Sequence, residues 1–122
     1  GHAMAIQKFA FEALPEDKVH DTISRWMTVG HHLSVAKYVI KAGGVVPSHE
    51  HNNEQVTMIT QGRFRYTIGG KEIEMGPGEV VFIPPNVVHG AEAITDTVAI
   101  DFSSPPRYDM QAGTDPVKQG SR

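Results

Sequence analysis

Pro47-Ser48-His49-Glu50-His51-Asn52-Asn53-Glu54-Gln55 is the stretch on which the reading of this chain turns. A strand sends successive side chains to opposite faces. On one continuous strand His49, His51, Asn53 and Gln55 therefore share a face, and Glu50, Asn52 and Glu54 take the other. Alternate Cα atoms lie roughly 6–7 Å apart, so the two imidazoles can reach one ion. Glu54 is the obvious oxygen donor but has the wrong parity; Gln55 has the right one, and its amide oxygen can coordinate. A bend at Asn52-Asn53 would alter this facing.

A third imidazole has to come from elsewhere. His89 follows Gly78-Glu79-Val80-Val81-Phe82-Ile83-Pro84-Pro85-Asn86-Val87-Val88, which reads as strand, corner and strand, with Pro84 and Pro85 stiffening the corner. Three neutral imidazoles and one amide leave coordination positions open, the arrangement of a catalytic rather than a structural site. One divalent transition metal is expected there. Imidazole suits Zn, Fe, Ni and Cu, and Mn also fits. His20 and the pair His31-His32, beside a glycine turn, read as surface or internally satisfied histidines.

Glycine and proline punctuation cuts the rest of the chain into short alternating segments. Strands are expected over 23–29, 33–40, 46–51, 55–60, 64–68, 72–75, 80–83, 89–93 and 98–102. Between them stand Ala42-Gly43-Gly44, Gln61-Gly62, Gly69-Gly70-Lys71, Gly76-Pro77-Gly78 and Pro84-Pro85-Asn86. A helical turn is expected at 15–20, opened by Pro15 with Glu16 and Asp17. Many short strands without an amphipathic helix imply an all-β sandwich or barrel. Read as a two-residue hairpin loop, Gln61-Gly62 pairs Thr57 with Tyr66 and Gln55 with Ile68. That places Tyr66 inside, near the metal, as core or as a substrate-pocket residue. The opposite face, bearing Val56, Met58 and Thr60, would be covered by other strands or by a second subunit.

Composition narrows the class. The chain has 122 residues, 39% of them hydrophobic, enough for one domain with a core. A net charge of −3 carries no nucleic-acid footprint, and no apolar run is long enough to span a membrane. Cysteine is absent, which removes disulfides and thiolate chemistry. Residues 1–4 read as an expression-tag remnant, 5–112 as the barrel domain and 113–122 as a flexible tail. With no signal-peptide pattern, a cytoplasmic location is expected.

The segment from Gly44 to Gly62 resembles the first cupin motif: a glycine, His-x-His, a ligand four residues on, and a closing glycine. Gly78 to His89 is similar to the second. Asn86 and Ala93 depart from that pattern without touching a ligand, whereas Gln55 stands where most cupins carry glutamate. The resemblance implies a single-domain cupin β-barrel, a jelly-roll-like double sheet. His-x-His-x-x-x-Gln and the run 82–91 are most similar to KdgF-like cupins, which convert 4,5-unsaturated monouronates to the linear keto form. The ending Asp101-Phe102-Ser103-Ser104-Pro105-Pro106-Arg107 keeps that family's spacing. By resemblance, Asp101 is the proton-transfer group and Arg107 the clamp for a substrate carboxylate.

Strand parity bears on the same residues. Ala99, Asp101 and Ser103 form a small, polar face with room for a ligand, although an ordinary surface strand has the same pattern. Val98, Ile100 and Phe102 read as sheet-to-sheet core. A neutral amide ligand leaves the ion a strong Lewis acid towards a hydroxy- or keto-acid. With the resemblance, the leading expectation is a metal-dependent isomerase or lyase that opens or tautomerises an unsaturated uronate or a similar small oxo-acid, in a homodimer. A dioxygenase using Fe(II) or Mn(II), and a non-catalytic metal and small-molecule binder, are the two rivals.

Overall fold

A computed structural model describes residues 5–112 and 115–117. A 3-10 turn at Phe11–Ala13 precedes ten strands: β1 (Asp17–His20), β2 (Ile23–Val29), β3 (Ser34–Ile40), β4 (Val45–His49), β5 (Glu54–Gln61), β6 (Phe64–Ile68), β7 (Lys71–Met75), β8 (Val80–Ile83), β9 (His89–Ala93) and β10 (Thr97–Ser104). A short helix, α1 (Tyr108–Ala112), follows. The strands form a six-stranded sheet, β1-β2-β3-β10-β5-β8, and a four-stranded sheet, β4-β9-β6-β7, with every pairing antiparallel. This is an all-β double sheet closing a barrel.

The core lies between the inner faces. Ala36, Tyr38 and Ile40 of β3, Ile59 of β5, Phe64 and Tyr66 of β6 and Ala99 of β10 are buried there. Their spacing of two is the signature of a sheet with one solvated face. The outer face of the larger sheet is unusually apolar. Cross-strand neighbours Val56 and Phe82, Met58 and Val80, and Phe102 and Val56 all point outward, with Phe82 66% and Val80 51% exposed.

Several expectations need correction. The segment expected as a helical turn at 15–20 is strand β1 over Asp17–His20: Val19 buries its side chain, and the backbone pairs with β2. Gln61-Gly62 is not a hairpin loop, because β5 pairs with β10 and β8 while β6 pairs with β9 and β7. The chain instead crosses from one sheet to the other at this corner. Gly62 has φ +86°, and a Cβ there would overlap the Asp96 carbonyl. Tyr66 still faces inward, because its own sheet turns it so. Val98, Ile100 and Phe102 are not sheet-to-sheet core; Phe102 is 39% exposed on the outer face, and among the described residues no strand covers it. Finally, the tail expected to be flexible from 113 onward includes Asp115 and Val117, which are buried. Asp115 is drawn in by the guanidinium of Arg25, which is itself inside the barrel. The rest of that tail and residues 1–4 lie outside the described residues.

Candidate metal centre

Two local irregularities bring the imidazoles together. In β4 the register slips between Val46 and His49, so that His49 stands opposite His89 of β9. The bulge holds Pro47, which could not donate to a regular ladder, and cross-strand partners share a face. A Cβ on Gly90 would meet the Ser48 backbone nitrogen at 3.0 Å, so glycine allows this close approach. His51 is the second departure. Strand β4 ends at His49, and His51 sits in the connection to β5 rather than on one continuous strand. Its carbonyl accepts a hydrogen bond from the Asn86 N–H at 2.8 Å, which ties the proline corner to the loop. Asn86 has φ 63°, a left-handed conformation that asparagine tolerates better than most residues, so its replacement of glycine preserves the corner.

The ligating atoms of His49, His51 and His89 all lie within 4.8 Å of one another. Each Nδ1 faces a backbone carbonyl two residues away: Pro47 at 2.7 Å, Asn53 at 3.0 Å and Val87 at 2.9 Å. A carbonyl only accepts, so each Nδ1 carries the proton and each neutral ring keeps its Nε2 lone pair. Burial pushes His49 and His51 below the usual imidazole value and His89 down to about 4. The rings are therefore neutral near pH 7, as ligation requires.

Two further observations fit a cation here. His89 Nε2 is buried without a hydrogen-bond partner among the described residues. His51 Nε2 faces the Gln55 Oε1 at 3.0 Å, so in the neutral ring two lone pairs meet, an arrangement that a shared cation relieves. Turning the amide over would not help. Gln55 Nε2 donates towards Asp101 Oδ2 at 3.2 Å, Thr57 Oγ1 at 3.1 Å and the Tyr66 hydroxyl at 3.3 Å. The donor set of three imidazoles and one amide oxygen suits a divalent transition metal.

Behind Gln55 the network continues. Thr57 Oγ1 donates to Asp101 Oδ1 at 2.7 Å and shares a 2.8 Å hydrogen bond with the Tyr66 hydroxyl. Burial raises the Asp101 carboxyl to about 6, against the lowering effect of the Thr57 hydrogen bond. Burial also holds Tyr66 well above its ordinary value, so it acts as a neutral hydroxyl. Arg107 reaches the same pocket, which His49, Gln55, Tyr66, His89 and Asp101 also line. Its fork is engaged by Asp109, with Nε to Oδ1 and Nη2 to Oδ2 both at 2.9 Å.

Some participants were not foreseen. Thr57 shares the parity of Gln55 on β5, so the alternation could have found it. Arg25 likewise shares the parity of Ile23 on β2, whereas Asp109, Asp115 and Val117 carry no such mark. Arg25 is fully buried and bonded to Asp17 at 2.6 Å and to Asp115 at 3.2 and 3.1 Å. His20 and the His31–His32 pair stand outside the triad.

A double antiparallel sheet with a histidine triad inside one end defines a cupin. The family model described as "Cupin domain" matches residues 36–102, and the chain belongs to that family. Its structure is similar to that of KdgF from Halomonas sp., with a TM-score of 0.81 and 27% identity over 87% of this chain and 99% of the other. An RmlC-like cupin from Shewanella frigidimarina gives 0.79 and 29%, covering 86% and 96%. Among curated proteins, H2HPP isomerase of Bacillus subtilis is 35% identical over 68 residues, which is 54% of this chain but only 29% of that protein's length. Oxalate decarboxylase of Bacillus subtilis, whose Mn(II) centres have been characterised, shares the fold at a TM-score of 0.78 and 15% identity, covering 91% of this chain and 32% of the other.

Proposed function

We propose that the chain is a metal-dependent isomerase that opens and tautomerises a small unsaturated uronate, or a similar oxo-acid, in the cytoplasm. The observation that carries this reading is the half-buried Asp101 carboxylate, hydrogen-bonded to Gln55 and Thr57 beside a convergent histidine triad. His49, His51, His89 and Gln55 would hold the ion, which when bound supplies Lewis acidity towards a substrate oxygen. The similarity to KdgF, and to a protein named as an isomerase, supports the same class.

The chemistry asked of the protein is a proton shift without oxidation. Opening the cyclic hemiacetal moves a proton from the anomeric hydroxyl to the ring oxygen, giving an aldehyde and an enol. Moving the enol proton to the adjacent alkene carbon then gives the ketone. Asp101 is suited to both transfers, since a carboxyl titrating near 6 exchanges protons readily at neutral pH. Thr57 and Gln55 fix its two oxygens, and the neutral Tyr66 hydroxyl, which donates to Thr57, lines the substrate pocket. Arg107, buried at the pocket, suits the substrate carboxylate. A homodimer through the apolar face of Val80, Phe82 and Phe102 belongs to this proposal, and sedimentation of wild type against Phe82→Asp tests it.

The test of the activity is elemental analysis, followed by a screen of 4,5-unsaturated uronates for loss of their conjugated ultraviolet absorbance. Turnover that is abolished in Asp101→Asn, with metal content retained, is the expected result. No turnover by a fully metallated sample removes this reading.

A further inference from the structure

The free space among His49, Gln55, Asp101 and Arg107 is about 30 Å³, room for a water or two. Pockets that hold small ligands run to roughly 300 Å³ or more, so something must yield before an acidic sugar can enter. Among the described residues, all the side chains around this space stand on barrel strands except Arg107 and Val117, which come from the segment after β10. Strands cannot retreat without breaking their ladders. Among the described residues the segment joins neither sheet, and side-chain contacts hold it: Asn53 donates to the Pro105 carbonyl, the Ser34 hydroxyl accepts from the Arg107 N–H, and Asp115 pairs with Arg25.

Directly outside lies a groove of about 380 Å³ lined by His51, Asn53, Pro105, Pro106, Tyr108 and Asp109. The Arg107–Asp109 pair is the partition, with Arg107 lining the inner space and Asp109 the groove. The two parallel hydrogen bonds between them are the fork-to-fork geometry in which a guanidinium takes any carboxylate. Asp109 is the more exposed partner, its side chain 38% accessible against 4% for Arg107.

We propose that Asp109 is an internal stand-in for the substrate's carboxylate: it holds Arg107 across the mouth of the pocket until a small carboxylic acid in the groove takes its place. This rests on the reading that the substrate is a small acid. It makes Asp109 a specificity device, because an uncharged sugar cannot displace it and so cannot open the mouth.

The test uses calorimetry on the metallated full chain with glucuronate, which has the acid but no double bond, and glucose, which has neither. Asp109→Asn keeps the shape and the acceptor at the start of α1 but loses the two-fold ionic pairing. Glucuronate should bind about five-fold tighter to this variant, the size expected for releasing a partly exposed ion pair. Glucose should be unaffected, and the gain should vanish in an Arg107→Ala background. Unchanged, weaker or undetectable glucuronate binding in Asp109→Asn overturns the proposal. Turnover of unsaturated uronates with a KM indifferent to Asp109 would do the same and leave the activity standing. Tighter acid binding without any such turnover would remove the activity and leave the exchange at Arg107.

Discussion

Each imidazole of the triad is aimed by a carbonyl belonging to its own stretch of chain, so tautomer and ring direction are settled by the backbone before any ion arrives. The consequence is selective. His51→Ala should lose bound metal, whereas His20→Ala, outside the triad, should keep a full equivalent by elemental analysis. Burial of His89 adds a pH dependence to the metal-free chain. Its folded value is about 4, whereas an unfolded histidine titrates near 6.5. The unfolded chain therefore takes up the proton first as pH falls. Stability from this group is full above about 6.5 and is lost progressively down to about 4. Urea midpoints of the apo chain should fall across that window, and less steeply in His89→Gln.

Among the elements, periodicity and punctuation made the strands readable, and for β2, β6, β8 and β9 the expected limits agree with the observed ones. Pairing was not readable. A two-residue gap such as Gln61-Gly62 looks the same whether it folds a hairpin or carries the chain between sheets. Space alone distinguishes them, since the corner must pass the Asp96 carbonyl. Gly62→Ala should therefore cost about 3 kcal/mol or more, from backbone strain plus a steric clash. Gly70→Ala, with nothing within 4 Å of the added Cβ and φ +81°, should cost about 1–2 kcal/mol from strain alone. Thermal unfolding of the two variants measures the difference. Strand β1 was misread because Pro15, Glu16 and Asp17 imitate a helix start, whereas Asp17 is held by Arg25 and Val19 by the core.

Across the whole molecule, Arg25 fastens two distant parts of the chain to the barrel, Asp17 in β1 and Asp115 in the closing segment. Both Arg25 and Asp115 are inaccessible to solvent, so Arg25→Met would remove a buried counter-charge from a buried carboxylate. A loss of about 3–5 kcal/mol is expected, read from denaturant unfolding. Increased hydrogen exchange in β1 and α1 should accompany it. This ion pair spans 90 positions, and Asp115 sits in no motif or periodic run, so nothing local in the sequence ties it to the barrel.

The sequence by itself determined what is local: the alternation that makes strands, the glycines and prolines that end them, and a His-x-His-x-x-x-Gln run with a third histidine behind a proline corner. These follow from steric and hydrogen-bonding rules acting over a few residues. Only the tertiary structure decided which sheet each strand joins, that His51 meets the other two imidazoles from a loop, and that the segment after β10 brings Arg107 to the pocket with Asp109 bonded to it. Those outcomes depend on contacts between distant residues, where many small burial and pairing energies compete and no short stretch of sequence records which arrangement wins.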